Sequence, residues 1–497
     1  MSTKTDTITA PEVPEAPTPL QVPSLKVRNP RTGVCDYDIT PAERAEVEAA
    51  AARLRTGQTA WAAAGLDHRL DVLKTFAARL AERRGEVIDA LTADTGRLGI
   101  SVMEVDGIGP SIDRWAAIAR AEAEDPTGTS TAMPFLSYRI KRHVYPLVGV
   151  ISPWNFPVTL SFIDALPALV AGAAVLIKPS EVTPRFAAPL RDIIAGIDGL
   201  RDVLAIVDGD GATGAALIDA VDAICFTGSL ATGRKVGAQA AKNFIPAFLE
   251  LGGKDPAIVL DSADVDKAST ALLRASILNS GQACQSIERI YVARPVFDDF
   301  LTRLVDKAKR VTFNTPDLHS GHLGPIIFKK QADIIDRQIR DAVARGAVVH
   351  TGGTIADHGG LWCPPTVITD VTDDMALMRE ETFGPVLPVI PFDTVEDAVA
   401  LANAGDYGLS AAVFAGTADE AAAIAERIEA GGISINDGAL TGLMHEAEKN
   451  SFKCSGLGAS RMGASGYTRF FRKQALITNT AAPFTIDMFD ESRTDYP

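Results

Sequence analysis

Cys284 lies in the run Asn279-Ser-Gly-Gln-Ala-Cys-Gln-Ser, where Gly281 and its polar neighbours follow an Ala-rich helical stretch. That pattern predicts a turn that exposes the thiol. A lone cysteine is most often a small buried hydrophobe, but two other residues change the reading. Glu250 lies in Phe248-Leu-Glu-Leu-Gly-Gly-Lys-Asp-Pro, and a carboxylate inside an apolar strand end is costly unless it is solvated, paired or functional. Near a thiol it can act as general base on that thiol or on water; alone it reads equally as an ion-pair partner. Asn155 follows a predicted core strand in Ile151-Ser-Pro-Trp-Asn-Phe-Pro. Ligands bind outside the carboxyl ends of parallel strands, so a side-chain amide there can donate to an oxyanion. Without the other two, this Asn would be read as organising a Pro-bounded turn.

Two further segments have the form of nucleotide contacts. Lys178-Pro-Ser-Glu181 follows a strand, and a Glu there can accept from both ribose hydroxyls of an adenosine. Phe226-Thr-Gly-Ser-Leu-Ala-Thr-Gly233 also follows a strand and opens a helix, whose terminal amides suit a pyrophosphate. It is not the GxGxxG fingerprint, since only Gly228 and Gly233 are glycines, and alone it is a weak signal.

The elements that must hold these residues follow a regular order. Residues 42–91 have apolar positions at helical spacing, such as Leu70, Val72, Leu73 and Phe76, and fit two or three amphipathic helices. Residues 122–133 read as a connector, and Tyr138 to Tyr145 alternates as a strand does. From Leu147 onward strands are expected at Val148–Ile151, Ala174–Lys178, Val203–Val207, Ala223–Thr227 and Ala247–Leu251, with helices starting near Val158, Thr183, Gly211 and Leu230. A second run has strands at Ala257–Leu260, Ile290–Val292, Val386–Pro391, Ala412–Phe414 and Ile433–Asn436. Strands alternating with helices predict an α/β chain of two doubly wound parallel-sheet domains.

Composition narrows the function classes. A chain of 497 residues exceeds one hydrophobic core, and 46% apolar with 22% charged residues is ordinary for a globular enzyme. A formal net charge of −15 argues against nucleic acid and anionic membranes as main partners. No apolar run is long enough to span a bilayer. Residues 1–24 read as a disordered arm, and the acidic tail from Ile486 to Pro497 as surface or disordered. The five cysteines are scattered without a CxxC pair, and His319 with His322 sits in a polar loop, so neither a disulfide framework nor a metal site is expected. A reducing cytoplasm is the expected compartment.

Together, SPWNFP (152–157), KPSE (178–181), FTGS (226–229), LELGGKDP (249–256), GQAC (281–284) and EETFGP (380–385) resemble the aldehyde dehydrogenase superfamily in order and spacing, from about residue 25 to residue 480. The resemblance implies that Cys284 is the nucleophile, that Glu250 activates the hydrolytic water, and that Asn155 and the Cys284 amide hold the oxyanion. It implies NAD as hydride acceptor, with NADP less favoured. Lys178 and Glu181 would bind the adenosine ribose, with Ser180 and Gly211 nearby. Gly228, Ser229 and Thr232 on the following helix would face the pyrophosphate. Glu381 and Phe383 would position the nicotinamide ribose and ring, and Ile151, Ser152, Pro153, Trp154, Phe226, Thr227, Glu250, Leu251 and Gly252 would complete the cofactor cleft. It also implies a nucleotide-binding domain (25–121 and 145–252), a catalytic domain (253–449) and an oligomerisation element (122–144 and 466–489), hence a homodimer or homotetramer. One stretch departs from the usual family turn: Glu448-Lys-Asn-Ser-Phe-Lys-Cys-Ser-Gly-Leu-Gly458 keeps Lys453, Ser455 and Gly456 but not the preceding glycines.

Phe156, Leu160 and Ile163, with Leu440, Leu443 and Met444 from the late loop, are the expected substrate positions. All are apolar, which favours a hydrophobic aldehyde over a charged semialdehyde. The chain is also similar to a branch acting on apocarotenoid, terpenoid or aromatic aldehydes. Two alternatives stay open: a CoA-acylating relative, which would not need Glu250, and a non-catalytic structural or binding relative, which would tolerate loss of Cys284 or Asn155.

Overall fold

The computed structural model describes residues 24–492. The N-terminal arm therefore lies outside the described residues except for Ser24, and the tail is seen to Ser492, with a short exposed turn at Ile486–Phe489.

Two mainly parallel sheets form the framework. The first is six-stranded, in the order Gly456–Leu457, Ala247–Glu250, Ala223–Thr227, Leu147–Ile151, Ala174–Lys178, Leu204–Ile206. Its three central strands are buried along their whole length, which is why they are continuous apolar runs and not alternating ones. Helices Pro157–Ala171, Gly211–Ala220 and Leu230–Lys242 connect them, and the helices from Arg44 to Thr95 pack on the same core. The expected helix near Thr183 begins at Ala187 instead, because residues 179–186 form turns around Pro184. The last strand, Gly456–Leu457, is antiparallel and arrives from the late loop, pairing Gly456 with Glu250 and Leu457 with Leu249.

The second sheet has seven strands, ordered Val348–Thr351, Thr366–Thr369, Val386–Phe392, Ile287–Ala293, Asp255–Val259, Ser410–Phe414, Gly432–Ile435. Its antiparallel edge, Val348–Thr351 against Thr366–Thr369, was not anticipated from the apolar pattern, and neither were helices Leu98–Asp106 and Ile108–Ala121. A separate three-stranded antiparallel sheet joins Thr127–Thr129, Leu136–Val144 and Phe471–Asn479, the last exposed at eight of nine positions. No helix among the described residues is long and apolar enough to cross a membrane.

Candidate active site

The loops that leave the carboxyl ends of the central strands converge on one cleft. It is lined by Pro153, Trp154, Asn155, Leu160, Thr227, Gly228, Ser229, Leu251, Gly252, Cys284, Gln331, Glu381 and Phe383. All but Gln331 stand among the residues expected from sequence.

The thiol loop is built by left-handed backbone. After helix Val265–Ile277 the chain passes through Asn279, Ser280 and Gly281 at φ 53°, 59° and 73°. Gly281 is required twice: its φ favours glycine, and a side chain there would sit 2.2 Å from the Gly384 carbonyl carbon. The thiol loop thus lies against the EETFGP segment. Asn155 Nδ2 donates to the Gln282 carbonyl (3.0 Å), and Asn279 Nδ2 donates to the Asn155 carbonyl (2.9 Å). Since a primary amide has two N–H donors, one remains for a ligand in the cleft.

The cysteine side chain is partly exposed, not fully so as the turn suggested. Burial pushes the Cys284 thiol up to about 12; the Lys449 ammonium and the Arg461 guanidinium pull it down, whereas Asp255 and Glu381 push it further up. The sulfur therefore rests as a neutral thiol at neutral pH. No hydrogen bond joins Glu250 to it. The Glu250 carboxylate accepts from Ser451 Oγ (3.0 Å) and lies 3.9 Å from Arg461 Nε.

On the opposite wall, Glu381 accepts from the Gly253 amide (3.1 Å), and burial, with the Glu288 carboxylate beside it, pushes its carboxyl up to about 8. Buried Glu288 accepts from the amides of Thr382 and Phe383, both at 2.8 Å, and from Lys254 Nζ at 2.6 Å. This pair fixes the turn in which Phe383 takes φ 49° and meets Trp154 edge to face, 5.3 Å between centroids.

At the far end Lys178 is buried, its ammonium donating to the carbonyls of Pro179 (2.8 Å) and Gly209 (2.7 Å), with the exposed Glu181 carboxylate 3.7 Å away. Ser229 caps helix Leu230–Lys242 by accepting from the Thr232 amide. Ser180 is buried, Gly211 opens its helix at the surface, and Ile151, Ser152 and Phe226 lie buried beneath the loops. This groove fits a dinucleotide: amides at a helix start face it, and Gly252 leaves a gap beside Glu381 that a Cβ, 2.4 Å from Oε2, would fill.

The expected substrate residues are less tightly gathered. Leu160 lines the cleft, while Phe156, Ile163 and Leu440 are half-buried and are not among its lining residues. Leu443 and Met444 are 67% and 54% exposed. Thr441 Oγ1 donates to Gln285 Oε1 (2.6 Å), which joins the late loop to the residue after the nucleophile. Sequence reasoning missed Lys254, Glu288, Gln331, Ser451, Arg461 and Asp164. The anomaly that marks Asp164 is an acid inside the apolar run Leu160-Ser-Phe-Ile-Asp-Ala-Leu-Pro-Ala-Leu.

A doubly wound α/β fold, with a thiol and a carboxamide lining one cleft beside a helix start, is the arrangement of a cofactor-dependent oxidoreductase acting on a carbonyl. The profile of the aldehyde dehydrogenase family matches residues 19–476, and the chain belongs to that family. It is 36% identical over 440 residues to a putative NADP(+) succinate-semialdehyde dehydrogenase of Mycolicibacterium smegmatis, covering 87% of this chain and 84% of that one. A putative aldehyde dehydrogenase PutA from Anabaena variabilis superposes with a TM-score of 0.91 at 51% identity, covering 93% of this chain and 99% of that one. Betaine aldehyde dehydrogenase from Staphylococcus aureus, solved with NAD+, superposes at 0.86 with 28% identity over 94% of this chain and 93% of that one.

Proposed function

We propose that this enzyme oxidises an aldehyde with an apolar body to the carboxylic acid through a thioester on Cys284, with water as the final acceptor. The reading rests above all on the placement of Asn155 and Cys284 on one cleft, tied through the Gln282 carbonyl. Cys284 gives up its thiol proton to solvent and adds to the carbonyl carbon, and the oxyanion meets the free Asn155 N–H and the Cys284 amide. A bound nicotinamide supplies the hydride acceptor. Glu250 then takes a proton from the water that attacks the thioester, and the acid leaves as the thiol is restored. Its presence favours hydrolysis over transfer to coenzyme A, and the retained Cys284 and Asn155 favour catalysis over a purely structural role.

NAD is the preferred cofactor in this reading, because Glu181 would accept from a 2′-hydroxyl and repel a 2′-phosphate. The exposed strand Phe471–Asn479 supports a homo-oligomer built on the three-stranded sheet. Five free cysteines suit the reducing cytoplasm.

One observation favours a second substrate reading. The Lys449 ammonium acts on Cys284 from the late loop, and a cation at the mouth suits an aldehyde that also bears a carboxylate. A panel of aromatic, terpenoid, long-chain and carboxylate-bearing aldehydes, read by NADH formation, tests both. The apolar reading expects the highest kcat/KM with the hydrophobic members, and a reversed order defeats it. In the same assay Cys284→Ala should retain cofactor binding and lose all but about a thousandth of turnover.

A further inference from the structure

Four charged side chains stand in line beneath the cleft. Arg469 Nη2 donates to Asp164 Oδ1 (2.5 Å); Arg461 Nη2 donates to Asp164 Oδ2 (3.1 Å) and to Thr227 Oγ1 (2.6 Å); Arg461 Nε stands 3.9 Å from Glu250 Oε1. Asp164, Arg461 and Arg469 are 0%, 6% and 7% exposed. The signs alternate along the line and cancel, which makes burial of so many charges tolerable.

Arg461 is the informative member. Its Nη2 is committed to Asp164 and Thr227, while its buried Nε–H has no hydrogen-bond partner among the described residues. Glu250 Oε1 lies 3.9 Å from Nε, about 1 Å beyond charge-assisted hydrogen-bonding range. The other Glu250 oxygen is held by Ser451. Burial alone would lower the Arg461 guanidinium, yet the Asp164 carboxylate, with that of Glu250, holds it above its ordinary value.

We infer that Arg461, anchored by Asp164, is a positioning residue that holds the Glu250 side chain in a parked position, from which it swings to the water at the Cys284 thioester. Arg461 is then the cation shared by the base and the nucleophile. Glu250 itself meets Ser451 and Arg461 from the late segment and pairs in the sheet with Thr227 and Gly456, while the charged and titratable groups that act on Arg461 are Asp164 from the helix, Glu250, Cys225 from the neighbouring strand and Cys284 from the thiol loop. Burial keeps Cys225 neutral, pushed up to about 12, so it does not compete for the guanidinium at neutral pH.

The inference rests on Glu250 as the deacylation base, and the test separates the two. Pre-steady-state NADH bursts and the pH dependence of steady-state kcat are measured on the full enzyme. In Asp164→Asn/Arg461→Gln, which removes one charge of each sign, the burst stays within about twofold. The acid limb of kcat moves up by about one pH unit, a roughly tenfold loss below the limb. Arg461→Lys restores the charge and returns the limb to about its wild-type position. An unmoved limb with a normal burst overturns the inference, as does a parallel loss of burst and turnover at every pH, or a limb that Lys leaves displaced. If the double variant does not accumulate folded, Ser451→Ala decides through its single hydroxyl: an upward shift that costs about threefold below the limb is expected, and no shift overturns. Glu250→Gln is run beside them. Normal hydrolytic turnover there removes Glu250 as the base; a burst without turnover there, with an unmoved limb in the Arg461 variants, defeats the role of Arg461 alone.

Discussion

The carboxamide of Asn155 donates to the backbone carbonyl of Gln282 across 3.0 Å, two residues before the nucleophile in sequence. Asn155 and the thiol loop, carried by different sheets, are therefore fixed to each other before any ligand arrives. Such preorganisation costs no rearrangement when charge develops. Asn155→Ala should lower kcat by about 10²- to 10³-fold with a small change in cofactor affinity. Stopped-flow NADH formation measures it, and a loss below tenfold would remove Asn155 from the oxyanion site.

Cys284 should be slow toward alkylating agents in the free enzyme. With its thiol pushed up to about 12, the thiolate fraction rises about tenfold per pH unit through the range 7 to 10, whereas an unperturbed thiol levels off near pH 8.5–9. Peptide mass spectrometry after timed iodoacetamide treatment separates it from the exposed Cys35. A plateau near pH 9 on the Cys284 peptide would contradict the burial argument.

Glu288 should matter for both stability and the cofactor. Removing one member of the buried Lys254–Glu288 pair leaves an uncompensated charge and two amides without an acceptor. Glu288→Ala is expected to lower unfolding free energy by about 3–5 kcal/mol and to raise KM for the cofactor more than KM for the aldehyde. Denaturant titration and initial rates check the two effects.

Glu181 sets the expected nucleotide preference. A carboxylate facing a 2′-phosphate gives a bias of about tenfold in kcat/KM toward NAD, and Glu181→Ala should narrow it by improving NADP. The relative from Mycolicibacterium smegmatis bears an NADP(+) name, so the comparison is a sharp one. Equal values in the wild type, or a preference for NADP, would overturn the role of Glu181.

Three of the site residues legible in the sequence, Asn155, Glu181 and Gly228, share one physical property: each follows a strand buried on both faces. Val148, Val175 and Ile224 give unbroken apolar runs, so the turns that end them stand out, and with them Asn155, Glu181 and Gly228. The antiparallel edge Val348–Thr351 was hidden because none of its four residues is fully buried and the run is short. Helix Leu98–Asp106 gives a weak periodic signal, since Ser101 and Glu104 are among its buried residues. Glu104 is there to accept from the amides of Val158 and Thr159 at the start of the neighbouring helix, a task that reads as polarity in the sequence. Asp164 is visible as an anomaly, but its partner Arg461 lies 297 positions on, and spacing says nothing at that range.

That separation has a consequence for how the chain is made. Helix Pro157–Ala171 packs on the first sheet, yet among the described residues the acid it buries is paired with Arg461 and Arg469, and one edge strand of that sheet is Gly456–Leu457. A nascent chain that has emerged only to residue 450 should leave this domain open to a protease pulse, and one emerged past residue 470 should protect it. Domains generally fold in order of synthesis, but here the earlier one waits on the later, and Cys284 and Glu250 come into their final arrangement only once residues 461 and 469 have joined the fold.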